Sequence, residues 1–437
     1  MSLEVITLLT FGALLIVFAS GLPLTFGLGG IAMVLGLILW GPHSAFLTIQ
    51  AAYATMLSFV LVAVPLFIFM GNVLGKSGIA DDLYKAIHLW MGSVRGGLAI
   101  GSVLICTVMA AMVGLVAPGV VAVGIVAIPS MLKRKYQPEL ITGSIMAGGS
   151  LGALIPPSIV MMIYGLIARQ SVGQLFMGGV IPGLILSTLF CSYIAIRSYL
   201  QPQLAPALPA EERGTIREKV ISMRSVALPI LIILSVLGSI FLGIATPTEA
   251  ASVGCVATIV AAAIHRKLSW QVLKSATYAT FSLSGMCIWV VLGASVFSRY
   301  FFSIGGADLV EGLLTSPELG RWTVIISMQV SLILMGMVMD DVAMLMIAGP
   351  IYTPIIVSLG FDPIWFGILF IMNLEIAYLT PPFGYALFYM RGIAPESITM
   401  GQIYRSIIPF IILQLIGLSL VMVFPQLALW LPGLMMR

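Results

Sequence analysis

The chain has 437 residues, 60% of them hydrophobic and 8% charged, with a mean hydropathy of +1.14. This composition excludes a soluble globular protein and indicates a polytopic membrane protein. Twenty basic and sixteen acidic residues leave a net charge of +4, which is too little clustered charge for a nucleic-acid-binding protein. The first apolar segment contains Glu4 and no basic residue precedes it, so we do not expect a cleavable signal peptide.

A membrane-spanning helix needs about 20 mostly apolar residues, and the chain offers several such segments. In chain order they are residues 4–20, 22–40, 52–75, 172–198, 226–245, 248–265, 275–302 and 404–434. Residues 79–90 and 307–314 mix polar and apolar side chains beside membrane ends, and we predict short interfacial helices there. Ordinary connectors are the alternative. Residues 201–224 are strongly polar and predict a cytoplasmic loop or a short surface helix.

Two further apolar stretches are too long for one crossing. Residues 96–132 are interrupted by Gly114 and Pro118, and residues 322–359 are interrupted by the pair Asp340-Asp341. We predict that each stretch is a re-entrant helical hairpin, which enters and leaves the membrane on the same side.

Two other stretches have the length of a crossing but contain consecutive prolines. Residues 138–169 include GALIPPS (152–158), and residues 363–391 include LTPPFG (379–384). Consecutive prolines remove two backbone donors and break a helix. The freed carbonyls are tolerated at membrane depth only where they line an enclosed or aqueous site. We therefore predict two crossings that are broken in the middle.

The two halves of the chain carry the same arrangement of prolines. Pro138 precedes Pro156-Pro157 by 18 residues, and Pro363 precedes Pro381-Pro382 by 18 residues. The flanking sequences also correspond: YGLIARQS (164–171) with YMRGIAPES (389–397), and IADDL (79–83) with GADLV (306–310). Matching interruptions in two halves of an apolar chain indicate broken helices around a transport site.

The predicted crossings fix the relative orientation of the two halves. Five crossings separate Gly78 from its counterpart near Gly305, and an odd number makes the repeats inverted, as in secondary transporters that work by alternating access. The same count places 16 of the 20 basic residues on one face, which the positive-inside rule makes cytoplasmic. Only Arg169, Arg299, Arg321 and Arg437 fall on the other face. Both termini are then predicted to be periplasmic.

We therefore predict an all-α polytopic membrane protein of inverted-repeat type, with about ten crossings, two of them broken, and two re-entrant hairpins. The predicted units are N-terminal scaffold helices (1–75), an interfacial arm helix (76–95), a first transport repeat of hairpin plus broken helix (96–171), scaffold helices (172–305) with a cytoplasmic loop (199–225), a second interfacial arm (306–321), a second transport repeat (322–397) and a C-terminal scaffold helix (398–437).

Several motifs together resemble the large membrane subunit of TRAP (tripartite ATP-independent periplasmic) transporters, the DctM-type permease family. The resemblance spans essentially the whole chain, and the order and spacing of the motifs make it specific. The motifs are VPLFIFMGNVLGKSGIADDL (64–83), MAGGSLGALIPPSIVMMIYG (146–165), TPTEAA (246–251), GMVMDD (336–341) and NLEIAYLTPPFG (373–384). This resemblance implies an elevator-type fold, coupling to sodium, a small four-helix membrane partner and a periplasmic substrate-binding protein that delivers an organic acid.

Sodium is a hard cation that prefers oxygen ligands, and a broken helix offers main-chain carbonyls and the negative end of a half-helix dipole. We predict one sodium site where the first hairpin tip meets the first break, formed by Val113, Gly114, Pro118, Ser150, Gly152, Ile155, Pro156 and Pro157. The symmetry-related second site is formed by Met339, Asp340, Asp341, Thr380, Pro381 and Pro382. Many members of the family have a serine-rich first tip, whereas VGLVAPG (113–119) offers only main-chain oxygens.

The substrate is expected between the two tips, with Ser158, Asn373, Glu375 and Gly384 as candidates for substrate contact or coupling. Carboxylates are costly at membrane depth and are usually functional. For Asp340, Asp341 and Glu375 the functional interpretation is ion coupling, by sodium ligation or by protons. The alternative is that they cap a helix, accept backbone hydrogen bonds or face water.

Four polar residues need a separate interpretation. Glu249 follows a helix start, where we expect it to cap the helix. Arg169 and Arg299 are candidates for contact with a binding protein, and solvated loop ends are the alternative. Asn373 would hold the broken helix by side-chain hydrogen bonds or serve packing.

The sequence predicts a transporter in the inner membrane of a bacterium and not an enzyme. It has no GxxxxGK[ST] loop for ATP, no catalytic His/Glu motif and no cofactor ligands, so an ion gradient should supply the energy. The favoured function is the transport subunit of a sodium-coupled importer that takes a small organic acid from a binding protein. The alternative is a stand-alone sodium- or proton-coupled anion transporter of related fold. Na⁺ is the only ion expected to bind, and no cofactor is expected.

Overall fold

Twenty α-helices make up the regular structure of the residues that a computed structural model of the chain describes, which are 2–22, 24–207, 215–314, 320–382 and 384–435. No strand occurs among these residues, and eight of their helices are long and apolar enough to cross a membrane. The prediction of an all-α polytopic membrane protein is therefore confirmed. Some residues of the predicted segments lie outside the described residues, namely 208–214, 315–319, Phe383 and Arg437.

The first part of the chain forms five helices. They are α1 (Leu3–Ala19), α2 (Leu24–Trp40), α3 (Ser44–Met56), α4 (Val60–Lys76) and α5 (Ile79–Met91). Gly78 adopts a left-handed φ of 67° between α4 and α5, a conformation that glycine adopts without strain. The single span predicted over 52–75 is wrong, because the helix stops at Met56 and a new one begins at Val60.

A hairpin and an interrupted helix follow. The hairpin consists of α6 (Gly97–Val113) and α7 (Val116–Lys133), and the interrupted helix consists of α8 (Pro138–Ser150) and α9 (Ile159–Ala168). Pro138 opens α8 at a first-turn position, where its missing N–H costs no hydrogen bond. A two-helix hairpin and the predicted break at residues 152–158 are both present, and the re-entry of the hairpin on one side of the membrane stays a prediction.

The middle of the chain runs through α10 (Val172–Leu200), α11 (Ile216–Phe241), α12 (Pro247–Ile264), α13 (Trp270–Ser303) and α14 (Gly306–Leu314). Helix α11 begins ten residues before the predicted start at 226, because Thr215 and Glu218 form a capping box that satisfies two N-terminal amide groups. Thr246 and Glu249 form the same device at α12, so the predicted capping role of Glu249 is confirmed.

The second half repeats the element order of the first. It contains a hairpin of α15 (Arg321–Gly336) and α16 (Asp341–Ser358), an interrupted helix of α17 (Pro363–Leu379) and α18 (Tyr385–Ile393), and then α19 (Met400–Val423) and α20 (Gln426–Leu434). Gly305, with a φ of 80°, precedes α14 as Gly78 precedes α5. The segment predicted as one span over 404–434 is two helices.

Two packed groups of helices position the interrupted ones. Helix α13 packs against α2, α3 and α4, and α12 packs against α4 and α11. Small residues allow this close approach: a Cβ atom at Gly29 of α2 would lie only 3.3 Å from the Gly293 Cα of α13. The second group joins α8 to α6, α7 and α19, and α17 to α15, α19 and α10. The interrupted helices α8 and α17 therefore lie among other helices rather than at the lipid surface.

Candidate functional site

The first helix break is a fully buried stretch of irregular backbone. Helix α8 ends at Ser150, a short 3-10 turn covers Leu151–Ala153, and α9 begins at Ile159. Residues 151–158 are all buried. Ser158 caps α9, since its hydroxyl oxygen accepts a hydrogen bond from the Met161 amide at 3.3 Å while the hydroxyl donates to the Ala153 carbonyl. The Pro156-Pro157 peptide bond is cis.

The tip of the first hairpin touches this break through main-chain atoms. Gly114 ends α6 with a left-handed φ of 66°, and a Cβ atom there would lie 2.1 Å from the Pro157 carbonyl oxygen. A Cβ atom at Gly152 would likewise lie 2.6 Å from the Leu115 carbonyl oxygen. Both glycines thus permit a contact that no other residue would allow without a shift, and a main-chain carbonyl of each segment lies against the glycine of the other.

Four helix ends converge at this contact. Helices α6 and α8 end here, and α7 and α9 begin here. Carbonyl groups at helix C-termini carry partial negative charge and favour cations, whereas amide groups at N-termini favour anions. Leu115, the N-cap residue of α7, has no side-chain cap, so the first amide groups of α7 have no side-chain acceptor there. The partial charges of such helix ends favour a cation at the ends of α6 and α8 and an anion at the start of α7.

The second break has the same construction. Helix α17 ends at Leu379, Thr380 is its C-cap, and α18 begins at Tyr385 after the cis Pro381-Pro382 bond. The Thr380 hydroxyl donates to the Ile376 carbonyl oxygen at 2.7 Å. Gly384 lies close to the preceding turn, because a Cβ atom there would be 2.8 Å from the Tyr378 carbonyl oxygen and 3.0 Å from that of Thr380.

The second hairpin tip carries the two aspartates of the predicted site. Asp340 caps α16, since its Oδ1 accepts from the Val342 amide at 2.7 Å, and Asp341 Oδ1 accepts from the same amide at 2.9 Å. Asp341 Oδ2 also accepts a hydrogen bond from the Tyr378 hydroxyl at 2.7 Å. This contact links the tip to the broken helix α17, and the sequence offered no specific signal for Tyr378 beyond its position two residues before Thr380.

A small cavity lies beside this contact. It has a volume of about 10 Å³, and its lining includes Met339, Asp341, Ala377, Tyr378 and Tyr385. A cavity of this size holds about one water molecule or one ion of similar size. One aspartate and two tyrosines therefore line a space with room for one small occupant.

The two breaks differ in their exposure. Pro156 and Pro157 are buried, whereas Pro381 and Pro382 are exposed. Val338 at the second tip is also 45% exposed. The second break therefore opens to the surface of the chain in this conformation, and the first break is closed.

Several predicted site residues point away from the breaks. Val113 packs against α4, where a Cβ atom at Gly71 would lie 2.5 Å from its Cγ1, and Ile155 packs against Gly183 of α10. Pro118 lies in the first turn of α7. The Asn373 amide donates to Gln329 Oε1 of α15 and to the Leu369 carbonyl oxygen, so it ties two helices together.

The two arginines lie outside the breaks. Arg169 is exposed and ends α9 in a left-handed conformation with a φ of 52°. The Arg299 guanidinium donates to Gln50 Oε1 at 3.4 Å. Neither residue contacts the breaks among the described residues.

Gln414 of α19 is a buried residue that the sequence reading passed over. Its Nε2 donates to Ser150 Oγ at 3.1 Å and to the Glu375 carbonyl oxygen at 3.3 Å. The Ser150 hydroxyl in turn donates to the Ala147 carbonyl oxygen at 2.9 Å. An amide inside an otherwise apolar span is itself a signal, since polar side chains at membrane depth usually have a partner. Gln414 thereby joins the two interrupted helices.

No group of three or more His, Cys, Asp or Glu side chains that could hold a metal ion occurs within the described ranges. Cation binding at the breaks would therefore depend on main-chain carbonyl, hydroxyl and paired aspartate oxygens.

Curated relatives with matching length are membrane permeases. The chain is 31% identical over 405 residues to the C4-dicarboxylate TRAP transporter large permease protein DctM of Pseudomonas aeruginosa, covering 92% of this chain and 93% of that protein. It is 29% identical to the sialic acid TRAP transporter large permease protein SiaM of Vibrio cholerae, covering 97% of each chain. It is also 29% identical to the isethionate TRAP transporter permease protein DctMQ of Oleidesulfovibrio alaskensis, covering 97% of this chain but 66% of that protein.

Among solved structures, the YdaH transporter of Alcanivorax borkumensis has a similar fold. The two superpose with a TM-score of 0.64 at 15% identity, covering 96% of this chain and 98% of that one. At this identity the likeness concerns the fold alone.

The family model described as the DctM component of the tripartite ATP-independent periplasmic transporter matches residues 11–427. Together with the relative that is 31% identical over nearly its whole length, this match identifies a transporter subunit and not an enzyme. The chain belongs to the DctM family, the large membrane permeases of TRAP transporters.

Proposed function

We propose that this chain is the transport subunit of a sodium-coupled importer that takes a small organic acid from a periplasmic binding protein. The observation that carries this proposal is the convergence of a hairpin tip and a broken helix at two matching places in the chain. Irregular backbone at membrane depth persists where it lines a binding site. Paired sites of this kind are typical of secondary transporters with repeated halves.

The proposed sodium sites lie at the two convergence points. At the first, the C-terminal carbonyls of α6 and α8 would serve a cation, with main-chain oxygens from Val113, Gly114, Gly152 and Pro157. At the second, Met339, Asp341 and Thr380 surround the start of α18, and the cavity beside Asp341 has room for one ion. The Asp341 carboxylate is a hard oxygen ligand of the kind that suits sodium.

The proposed substrate site lies between the tips. The N-termini of α7 and α18 have no side-chain caps, and such helix ends bind carboxylate or other anionic groups. Ser158 and Gly384 border the two breaks. The relatives named for C4-dicarboxylate, sialic acid and isethionate all have organic anions in their names, which supports an organic acid as substrate here.

The partners proposed for this chain are a small four-helix membrane subunit and a periplasmic binding protein. The family is described as one component of a tripartite transporter. About a third of the isethionate permease lies outside its match to this chain. Arg169 and Arg299 are the candidate contacts for the binding protein. We place the chain in the bacterial inner membrane with both termini in the periplasm.

For the mechanism we propose elevator-type alternating access. The hairpins α6–α7 and α15–α16 and the broken helices would move together as a transport unit past the flanking helices α2, α4, α12 and α13. The amphipathic helices α5 and α14, each preceded by a glycine with positive φ, would connect the moving and fixed parts.

Uptake into proteoliposomes tests the proposed function. The chain is reconstituted with its small subunit, and carboxylic and sugar acids are offered with and without an inward sodium gradient and the binding protein. Because coupling and delivery are both required in the proposal, uptake should occur only when both are present. Strong sodium-driven uptake without any binding protein would instead establish a stand-alone anion transporter.

A further inference from the structure

A buried polar junction lies where α8, α17 and α19 meet, and we define it as Ser150, Glu375 and Gln414. Their side chains are at most 1% exposed. Ser150 and Glu375 occupy equivalent positions, each six residues before a double proline. Gln414 Nε2 donates to the Ser150 hydroxyl and to the Glu375 carbonyl oxygen. The junction therefore connects matching points of the two broken helices.

The Glu375 carboxyl group has no partner in this junction. Both of its oxygen atoms are buried without a hydrogen bond among the described residues, and so is Gln414 Oε1. The surrounding side chains on the same stripe of α17, Ile368, Met372 and Leu379, are apolar and buried. An isolated ionised carboxylate is far too costly in such surroundings. The neutral form of the acid avoids this cost.

No charged side chain compensates for Glu375. The helices that pack against α17 carry their charged residues near their ends. Among the described residues, none of these charged side chains makes an ion pair or a hydrogen bond with Glu375. They are Glu139, Arg197, Arg321, Asp340, Asp341, Arg391 and Arg405. Arg405, on the same helix as Gln414, is about 13 Å from it along the axis.

The tyrosines around α17 are also engaged or turned elsewhere. The hydroxyl of Tyr164 donates to the Pro363 carbonyl oxygen, that of Tyr352 pairs with Ser331, and that of Tyr378 donates to Asp341. Tyr385 lines the cavity beside Asp341. Glu375 thus has neither a counter-ion nor a phenolic partner.

We propose that Glu375 is a reversible proton-binding site of the transport unit and is protonated in the conformation described. This inference rests on the proposed transport function. Gln414 Oε1 is also buried without a partner, and an amide oxygen is an acceptor of the type that a carboxylic acid O–H needs. When transport opens the junction to water, the proton passes to solvent and water hydrates the carboxylate. The first repeat has Ser150 at the equivalent position, so only the second repeat supplies a proton site.

Thermal unfolding in detergent tests the protonated state without any transport assay. Glu375→Gln has the shape of the neutral acid and cannot ionise. We expect the Tm of the wild type to fall as the pH rises above about 4.3, where a glutamate of the unfolded chain ionises and the buried acid does not. This fall should be smaller in Glu375→Gln. Glu249→Gln is the matched control, because Glu249 caps α12 at the surface and Gln402 already forms the same capping box at α19. Parallel pH profiles for the wild type and Glu375→Gln would overturn the proposal.

Proton movement during uptake tests reversibility. Proteoliposomes containing a pH-sensitive dye are supplied with substrate, sodium and binding protein. The wild type and Glu375→Asp should acidify the lumen as substrate enters, whereas in Glu375→Gln the ratio of protons to imported substrate should fall at any rate of uptake. Substrate uptake by the wild type without acidification would overturn the proton site and leave the proposed function intact. Absence of any sodium-dependent uptake would contradict the proposed function, and the unfolding profiles would still decide whether Glu375 titrates.

Discussion

Gly114 and Gly152 determine how closely the first hairpin tip approaches the first helix break. The Cβ atoms of larger residues at these positions would lie 2.1 and 2.6 Å from carbonyl oxygens of the opposite segment. These oxygens belong to main chain, which cannot move aside as a flexible side chain can. The sequence predicted both residues as part of a sodium site, but only the structure shows that the contact is between backbones.

Replacing Gly152 by alanine should therefore separate the tip from the break. We expect Gly152→Ala to lower the initial rate of sodium-driven uptake by about 100-fold, because a shift of about 1 Å at a binding site can have an effect of that size. Gly238→Ala in α11 is the control, since a Cβ atom there meets nothing within 4 Å. Equal uptake by the two variants in proteoliposomes would show that close approach at Gly152 does not matter for transport.

The carboxylates differ in how far the sequence alone predicts their contacts. Thr246 followed by Glu249 is a capping box, a local pattern that predicts its own geometry, and the structure confirms it. The cap formed by Asp340 is also local, because its acceptor bond goes to the Val342 amide two residues along the chain. The Tyr378–Asp341 bond depends instead on how α16 and α17 pack. The capping interpretation fits Asp340, and the predicted ion coupling by these carboxylates stays a prediction.

At the scale of elements, proline and glycine made the interrupted helices predictable. A proline near the start and a double proline 18 residues later mark α8 and α17 and their ends. The gap between α3 and α4 has no such mark, because residues 57–59 contain neither proline nor glycine. The early start of α11 was not predicted, because its first residues belong to a polar stretch. Thr215 and Glu218 nevertheless have the spacing of a capping box. The role of Gln414 could not be predicted from the sequence, because its hydrogen-bond partners lie on helices that are distant in the chain.

A disulfide between α4 and α6 tests whether these elements move past each other. In a background without the four native cysteines, Gly71→Cys and Val113→Cys are combined, since a Cβ atom at Gly71 would lie 3.1 Å from Val113 Cβ, near the usual disulfide spacing. Oxidation should abolish uptake, because the proposed transport unit would be locked to α4, and sodium binding at the second site should persist.

Reduction of the same variant should restore uptake, and Val113→Cys alone should be insensitive to oxidation. Unchanged uptake by the fully cross-linked protein would rule out sliding between α4 and α6.

The stretches from α5 to α9 and from α14 to α18 have the same order of elements, yet their two breaks are not equally buried. The first break is buried and the second is exposed. In the proposed inverted arrangement the two breaks face opposite sides of the membrane, so unequal exposure is expected of a conformation open to one side only. The sequence could indicate the repeat, whereas the difference between the two breaks depends on tertiary packing and could be seen only in the structure.

The central claim is that the paired breaks carry sodium together with substrate. Simultaneous measurement of radiolabelled sodium and radiolabelled substrate entering the same proteoliposomes, with the small subunit and binding protein present, tests it most directly. The account predicts that sodium enters in fixed proportion to substrate and that both fluxes fall together in Gly152→Ala. Substrate entry without accompanying sodium would contradict it.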